Sequence, residues 1–360
     1  VWTDERTNNI YFSTVGHAHN LNTGLKYDSI QEAINGNETL IGHTLFAESR
    51  TYNEMVFINK SITLVGENCL DTIIYGKGFN YVVEVTANDS TLTGFTIKNG
   101  YLGVRVYCTN ATIQNNLVTC NEIGIILDYH SSNNKILENN VTFNSRYGML
   151  ILWSSNNLLR NNSINANEYN FGVQATETSE FIHDIDVSNT VNGKPIYYWI
   201  EERDKPIPPD AGYVALVNCT HINVQNVNLT NNIQGLLMVY TTTSKIAKNN
   251  IANNSYGTEF WNSSDNNVYN NYIISNEFGI RLVYSSNNTI SQNSITANII
   301  DGICLLNSSN NSIYHNNFVN NTKQVYDYSW EEPLYDPSVN VWDDSYPSGG
   351  NFWSNYNGTD

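Results

Sequence analysis

A pattern of about 22 to 24 residues recurs along this chain. A period of that length predicts a solenoid, because one copy is too short to bury its own apolar face and must stack on the next. The stretch "NNKILENNVTFNSRYGMLILWSSNN", Asn133 to Asn157, shows the pattern. An apolar residue is followed by Asn at +3, an apolar residue at +5, Asn at +8 and Gly at +11 to +13. Ile113 leads to Asn116, Val118, Asn121 and Gly124; Ile136 to Asn139, Val141, Asn144 and Gly148; Leu159 to Asn162, Ile164, Asn167 and Gly172. The register returns at Ile246 (Asn249, Ile251, Asn254, Gly257), Val268 (Asn271, Ile273, Asn276, Gly279), Ile290 (Asn293, Ile295, Asn298, Gly302) and Ile313 (Asn316, Phe318, Asn321). Weaker copies start at Leu92 and Ile182. No helical period runs through these units. Short runs of β-branched residues broken by Asn, Gly and Ser read as strands and turns. At about 3.3 Å per residue, one unit makes three short strands and three turns, one rung of a parallel β-helix.

Asparagine accounts for about 60 residues, roughly a sixth of the chain, against a few per cent in ordinary domains. The rung geometry explains the excess. Each corner turns sharply through the left-handed region, which Asn and Gly tolerate best. Corners repeat about 4.8 Å apart, so stacked amides can hydrogen-bond to one another and to turn backbone. A buried amide left unpaired would cost about 1 to 3 kcal/mol, so the ladder must run unbroken or be capped. The expected ladder is Asn116, Asn139, Asn162, Asn249, Asn271, Asn293 and Asn316, with a second at Asn121, Asn144, Asn167, Asn254, Asn276, Asn298 and Asn321.

Solenoid ends expose strand edges and need caps. "YDSIQEAING" predicts a short amphipathic helix with Asp28 or Ser29 as N-cap, Ile30, Ala33 and Ile34 on one face and Gly36 as stop. The organisation expected is a cap and first coil over 1–60, a parallel β-helix over 61–322 and a C-terminal cap or tail over 323–360. A Pro-rich insert at about 189–212 would protrude from the helix. The chain begins at Val1 as a processed protein would, and no run of 18 apolar residues predicts a membrane span. A net charge of −17 with only 17 Lys plus Arg excludes a nucleic-acid binder, whose phosphates need a basic face. The five cysteines (Cys69, Cys108, Cys120, Cys219, Cys304) read as buried free thiols, or as one bridge with Cys108 and Cys120 the pair.

The rung pattern, the segment "NGKPIYYW…DAGYVALVNCTHINVQNVNLT" and the closing "WDDSYPSGGNFWSNYNGTD" resemble the NosD-like, or CASH-domain, family of right-handed parallel β-helices. The N-terminal "SIQEAI…TYNEMVFINKSITLVGENCLDTIIYG" is similar to the cap and first coils of the wider pectate-lyase-like superfamily. The resemblance implies an exported protein of the archaeal surface type. Named bacterial members serve copper delivery to nitrous oxide reductase, and the superfamily also holds polysaccharide lyases, hydrolases and epimerases.

No catalytic residues are expected. Polysaccharide hydrolysis needs carboxylates about 5 to 9.5 Å apart on one face, and the rung carboxylates fall at different registers. "HDID", His183 to Asp186, is the densest group and reads as outward polar positions of a strand. Arg105 and Arg281 lie many rungs apart. Copper would want grouped Met, His or Cys, and only His17 and His19 are close, in what reads as a solvated loop. Glu201, Glu202 and Asp204, and Asp343 with Asp344, are weak Ca²⁺ candidates with oxygen ligands. Counting outward from each rung Gly gives an apolar stripe of Tyr107, Ile126, Leu150, Leu152, Leu237, Val239, Trp261, Val283 and Leu306. It is expected to lie under the protein's own insert or tail, to contact other copies of the protein, or, with few aromatics to support it, to act as a sugar-binding platform. Asn-x-Ser/Thr sequons, including Asn37, Asn88, Asn140, Asn161, Asn228, Asn253, Asn262, Asn287, Asn307 and Asn320, are expected to carry N-glycans in an exported protein. The expectation is an extracellular, non-enzymatic rod in a surface layer, sheath or filament. The alternatives are a β-helix that binds or cleaves polysaccharide and a copper-maturation accessory protein.

Overall fold

The computed structural model describes residues 2–3, 10–11, 17–78, 80–330 and 337–358; Val1, most of the first sixteen residues and Glu331–Asp336 of the tail lie outside them. Helix Ile30–Asn35 plugs the N-terminal end. Ser29 is its N-cap and accepts the Glu32 N–H at 3.1 Å, while the Glu54 carboxylate accepts the N–H groups of Ile30 and Gln31 at 2.9 Å each. Ile30, Ala33 and Ile34 are buried, so the helix turns its apolar face onto the open core.

The regular rungs carry two three-residue strands followed by one of five or six. One rung is Thr112–Gln114, Leu117–Thr119 and Ile123–Leu127. The next is Lys135–Leu137, Asn140–Thr142 and Tyr147–Leu152. Pairing is parallel and in register: Ile113 opposite Ile136, Val118 opposite Val141, Ile125 opposite Met149. These inward residues are fully buried, at about 1.5 to 3 kcal/mol for each large side chain removed from water.

The segment expected to protrude is instead the point where the helix changes sides. Strand Thr190–Val191 ends the second short face of the first solenoid. It pairs antiparallel with Lys194–Ile200 across Asn192 (φ 48°) and Gly193 (φ 75°), the two left-handed residues a type I′ turn requires. Lys194–Ile200 then pairs parallel with Tyr213–Val217 and begins the first coil of a second solenoid. Arg203 and Pro206 bridge to Thr220 and Asn223, and Ile207 and Ala211 enter the new core. The Pro cluster therefore belongs to a capping rung.

The result is one 14-stranded sheet shared by two solenoids. Parallel crossovers keep a right hand. Once strand direction reverses within a sheet that keeps growing, a right-handed coil must close on the opposite face. The side chains follow this rule. Ile196, Tyr198, Tyr213, Ala215, Val217, Leu237 and Val239 point into the first core. Tyr197, Trp199, Val214, Leu216, Leu236 and Met238 point into the second.

Asparagine amides stack at the corners. Asn116, Asn139 and Asn162 form one column, each Nδ2 donating to the next Oδ1 at 3.2 and 3.1 Å, and the column closes on Asn189. Each Oδ1 also accepts the backbone N–H of the residue below it, and each Nδ2 reaches a backbone carbonyl of the rung below. Asn249, Asn271, Asn293 and Asn316 repeat the arrangement in the second solenoid. The column at Asn121, Asn144 and Asn167 ends on Asn170; a new one starts at Asn232 and runs through Asn254, Asn276, Asn298 and Asn321. At this break the Asn170 amide nitrogen and the Asn232 amide oxygen are left without partners. The C-terminal tail closes the far end. Asn351 and Asn340 cap two columns, Gln324 caps the third, and Trp353 stacks on Phe318 with ring centroids 4.5 Å apart.

Candidate functional site

The offset between solenoids decides which outward faces reach solvent. Ile126 and Leu150 are buried in an outer cluster with Leu102, Ile123, Tyr169 and Ile233, against which Tyr147, Leu152 and Tyr256 pack. Ile233 and Tyr256 come from the second solenoid. Leu237 and Val239 are buried because the first core covers them, and Val283 is buried as well. Of the expected stripe only Tyr107 is exposed; Leu152, Trp261 and Leu306 are half-buried. The stripe is thus not a free interface. The chain covers most of it by folding back on its own sheet.

Glu84, Asp128 and Glu259 of the long faces are used in ion pairs, and Asp301 is not. Arg105 bridges Glu84 and Asp128, at 2.8 Å to each. Arg281 holds Glu259 at 2.6 Å, and the second Glu259 oxygen accepts the Gln234 amide at 3.0 Å. Asp301 is buried with no hydrogen-bond partner on either oxygen, and burial pushes its carboxyl up while Lys323 in the next rung pulls it down. In "HDID", Asp184 and Asp186 both pair with Arg160, at 2.6 and 3.0 Å.

His183 does not face outward as the sequence suggested. It caps a third corner column, where Asn134 donates to Asn157 and the Asn157 N–H donates to His183 Nδ1 at 3.3 Å; Nε2 then faces the Glu180 carbonyl at 3.0 Å. Burial lowers its pKa to about 4. The fold holds the neutral ring, whereas the unfolded chain protonates near 6.5. Stability is therefore full above about pH 6.5 and falls by about 3 kcal/mol on the way to pH 4. Urea unfolding at neutral and acid pH should show this loss, and His183→Asn, which continues the column with a group that does not titrate, should remove that share of it.

This third column was missed in the sequence. It contains Asn134 and Asn157, then Asn266, Asn288 and Asn311, all buried and stacked. The signal was present as Ser-Ser-Asn-Asn at 131–134, 154–157, 285–288 and 308–311.

His17 and His19 do not lie in a solvated loop. Their Nδ1 and Nε2 atoms clasp the two oxygens of Glu48 at 2.9 and 2.8 Å, and the His17 hydrogen bond leads in holding that carboxyl below its usual range. Glu202 pairs with Lys205 and Asp204 with His221, while Asp343 accepts the Ser345 N–H and Asp344 the Ser348 hydroxyl. Among the described residues no three His, Cys, Asp or Glu converge as metal ligands, so Glu201, Glu202 and Asp204 form no shared cage. All five cysteines are free. Cys108 is buried, with its thiol pushed up to about 12, while Cys120 is exposed, so the Cys108–Cys120 bridge does not form.

The sequon asparagines separate cleanly from the stacked ones. Asn37, Asn88, Asn140, Asn161, Asn228, Asn253, Asn287, Asn307 and Asn320 are exposed and Asn262 is half-buried. In the pair Asn161–Asn162 the first points to solvent and the second into its column.

One concave site joins the two solenoids, a cavity of about 250 Å³ at the step between them. Trp153 and the segment from Val173 to Thr176 form one wall, and Leu237, Tyr256, Glu259, Trp261 and Arg281 form the other.

Compared with known proteins, residues 57–199 match the family described as right handed beta helix region, and residues 210–358 match the family described as periplasmic copper-binding protein (NosD). The gap between the two matches, 200–209, falls just after the reversal at Asn192–Gly193. A protein named cell surface glycoprotein, from Methanothermus fervidus, is 31% identical over 102 residues, 28% of this chain; the matched stretch is 17% of that protein. Among solved structures, the A-module of the mannuronan C-5 epimerase AlgE6 from Azotobacter vinelandii aligns over 87% of this chain and 92% of its own, with 16% identity and a TM-score of 0.38. The tailspike protein gp49 of Acinetobacter baumannii bacteriophage Fri1, a capsular polysaccharide depolymerase, aligns over 76% and 55%, with 10% identity and a TM-score of 0.40. Neither superposition is close enough to bear on chemistry. No helix among the described residues is long and apolar enough to cross a membrane.

Proposed function

The chain belongs to the NosD-like right-handed β-helix family, and we propose that it is an exported surface glycoprotein whose paired solenoids act as a rigid spacer in a layer or filament of like subunits. The observation that carries this reading is the split among the asparagines. Those that stack are sealed inside, while nine of the ten singled-out sequons stand exposed, open to an oligosaccharide transferase after export. The resemblance of a 102-residue stretch to a cell surface glycoprotein supports the same reading. Rigidity follows from register, since every rung is hydrogen-bonded above and below and the amide columns tie the corners. Three acidic groups of the long faces, Glu84, Asp128 and Glu259, are engaged by Arg105 and Arg281, which favours a structural role over hydrolysis.

Intact mass and electron microscopy of native material test this. The expected mass exceeds the 40.6 kDa of the polypeptide, with glycans mapping to exposed sequons such as Asn140 and Asn161, and the particles form arrays or filaments. Bare, monomeric native chains would contradict it. Contact between copies should not involve Ile126, Leu150, Leu237 or Val283, so changing these residues should alter stability before assembly. Exposed apolar side chains are found instead at Phe143, Tyr272 and Ile299.

A further inference from the structure

We propose that the cavity at the step between the solenoids binds a single neutral sugar ring. It is absent from any unbroken β-helix, because its walls come from opposite sides of the reversal. Trp153 and Ala175 belong to the last rungs and cap of the first solenoid, while Tyr256, Trp261 and Arg281 stand on the outward face of the shared sheet in the second.

Four aromatic side chains, Trp153, Phe181, Tyr256 and Trp261, line the cavity, and neighbours hold both tryptophans in place. Trp153 packs on Tyr129 with centroids 4.9 Å apart, and Trp261 meets Tyr284 edge-on at 5.9 Å. Such rings offer flat apolar faces with polar edges, which suit the C–H face of a pyranose. The polar groups are of the planar, bidentate kind that hydroxyl pairs engage: the Arg281 guanidinium, the Glu259 carboxylate and the Gln174 amide. Glu259 is buried, and Arg281 is fixed by it and by the Tyr256 ring, 5.1 Å from its guanidinium carbon. Both hydrogen-bonding groups are thus pre-positioned before any ligand arrives.

Size and charge narrow the class. About 250 Å³ falls below the roughly 300 Å³ where pockets for drug-sized ligands begin, so one ring enters and a chain does not lie along it. The Arg281–Glu259 pair balances its own charge, so a uronic acid gains no free cation and a neutral hexose is preferred. The ring would enter as the non-reducing end of a glycan, whether a cell-wall polysaccharide or the N-glycan of a neighbouring copy.

The test uses the full recombinant chain without glycans and a panel of methyl glycosides (glucoside, galactoside, mannoside, N-acetylglucosaminide) with glucuronate as the charged member. Saturation-transfer NMR and tryptophan fluorescence read binding. At least one neutral glycoside should bind saturably with millimolar affinity. Trp153→Ala should weaken it about tenfold, and Arg281→Lys, which keeps the charge but loses the fork, should weaken it too. Both variants should keep the parent's β-sheet circular dichroism and urea midpoint within a small shift. No binding by any neutral member, tighter binding of glucuronate, or binding unchanged in folded Trp153→Ala would overturn the proposal. If binding holds, comparing oligosaccharides cut from cell-wall polysaccharide with glycopeptides from the native protein identifies the source. The surface role is tested on native material and can fail without affecting this result.

Discussion

Replacing Asn271 by alanine should cost the fold about 4 kcal/mol, far more than removing a polar side chain from a surface. Its amide makes four hydrogen bonds in the middle of a column. Nδ2 donates to the Ile246 carbonyl at 2.8 Å and to Asn293 Oδ1 at 2.9 Å, and Oδ1 accepts both the backbone N–H and the side-chain amide of Asn249 at 3.0 and 2.9 Å. Alanine removes all four, and the groups left behind are sealed from water. Each buried orphan costs about 1 to 3 kcal/mol, and a small relaxation of the corner recovers part of the sum. Asn351→Ala, at the end of the same column where water can reach, should cost roughly 1 kcal/mol. Urea denaturation of the two variants beside the parent checks the contrast. Equal losses would mean that the columns are ornamental and that the apolar interior alone sets the stability.

Gly257→Val should destabilise by about 3 kcal/mol or more, for a reason unrelated to glycine's freedom in φ. A Cβ there would stand 2.4 Å from the Gly279 carbonyl oxygen in the rung above and 3.0 Å from the Asn276 amide nitrogen. The neighbour is backbone held in a ladder, so it cannot yield without breaking pairing on both sides. The same approach recurs from Gly103 to Gly124 and from Gly279 to Gly302, which is why a glycine closes each copy of the repeat. Gly42→Ala is the control: φ there is +83° with no atom within 4 Å, so only left-handed strain of about 1 to 2 kcal/mol applies. Thermal unfolding of the pair should show the larger drop at Gly257. A reversed order would mean that the rungs do not pack at this spacing.

The rungs and corner asparagines could be read in advance because both depend on local spacing. An inward residue at Ile136 and a corner at Asn139 follow from strand period and turn chemistry within one copy. The reversal was also written locally, as Asn192–Gly193 between two β-rich runs, the strongest short hairpin signal, but the prolines that follow it drew the segment toward a loop reading. The side on which the second coil closes is a different kind of fact. Alternation assigns inside and outside only when one face is wet. Tyr213–Val217 and Gln234–Val239 are buried on every residue, the signature of a strand covered on both faces. Counting outward from the rung glycine therefore gave Leu237 and Val239 a solvent face that the first core occupies. The cavity at the step was out of reach for the same reason, since Trp153 and Arg281 meet only because of that fold-back. His183 looked like part of a polar strand until its place at the end of an amide column explained its burial.

The most direct test of the two-sided sheet is a nuclear Overhauser measurement on a methyl-labelled, aromatic-labelled sample. Two solenoids on opposite faces predict cross-peaks between the rings of Tyr213 and Phe171, whose centroids lie 5.0 Å apart. They also predict cross-peaks from the Leu216 methyls into the second core, with none from Leu216 to Phe171. Cross-peaks joining Leu216 to Phe171 would place both in a single continuous interior and contradict the offset solenoids, the covered stripe and the cavity between them.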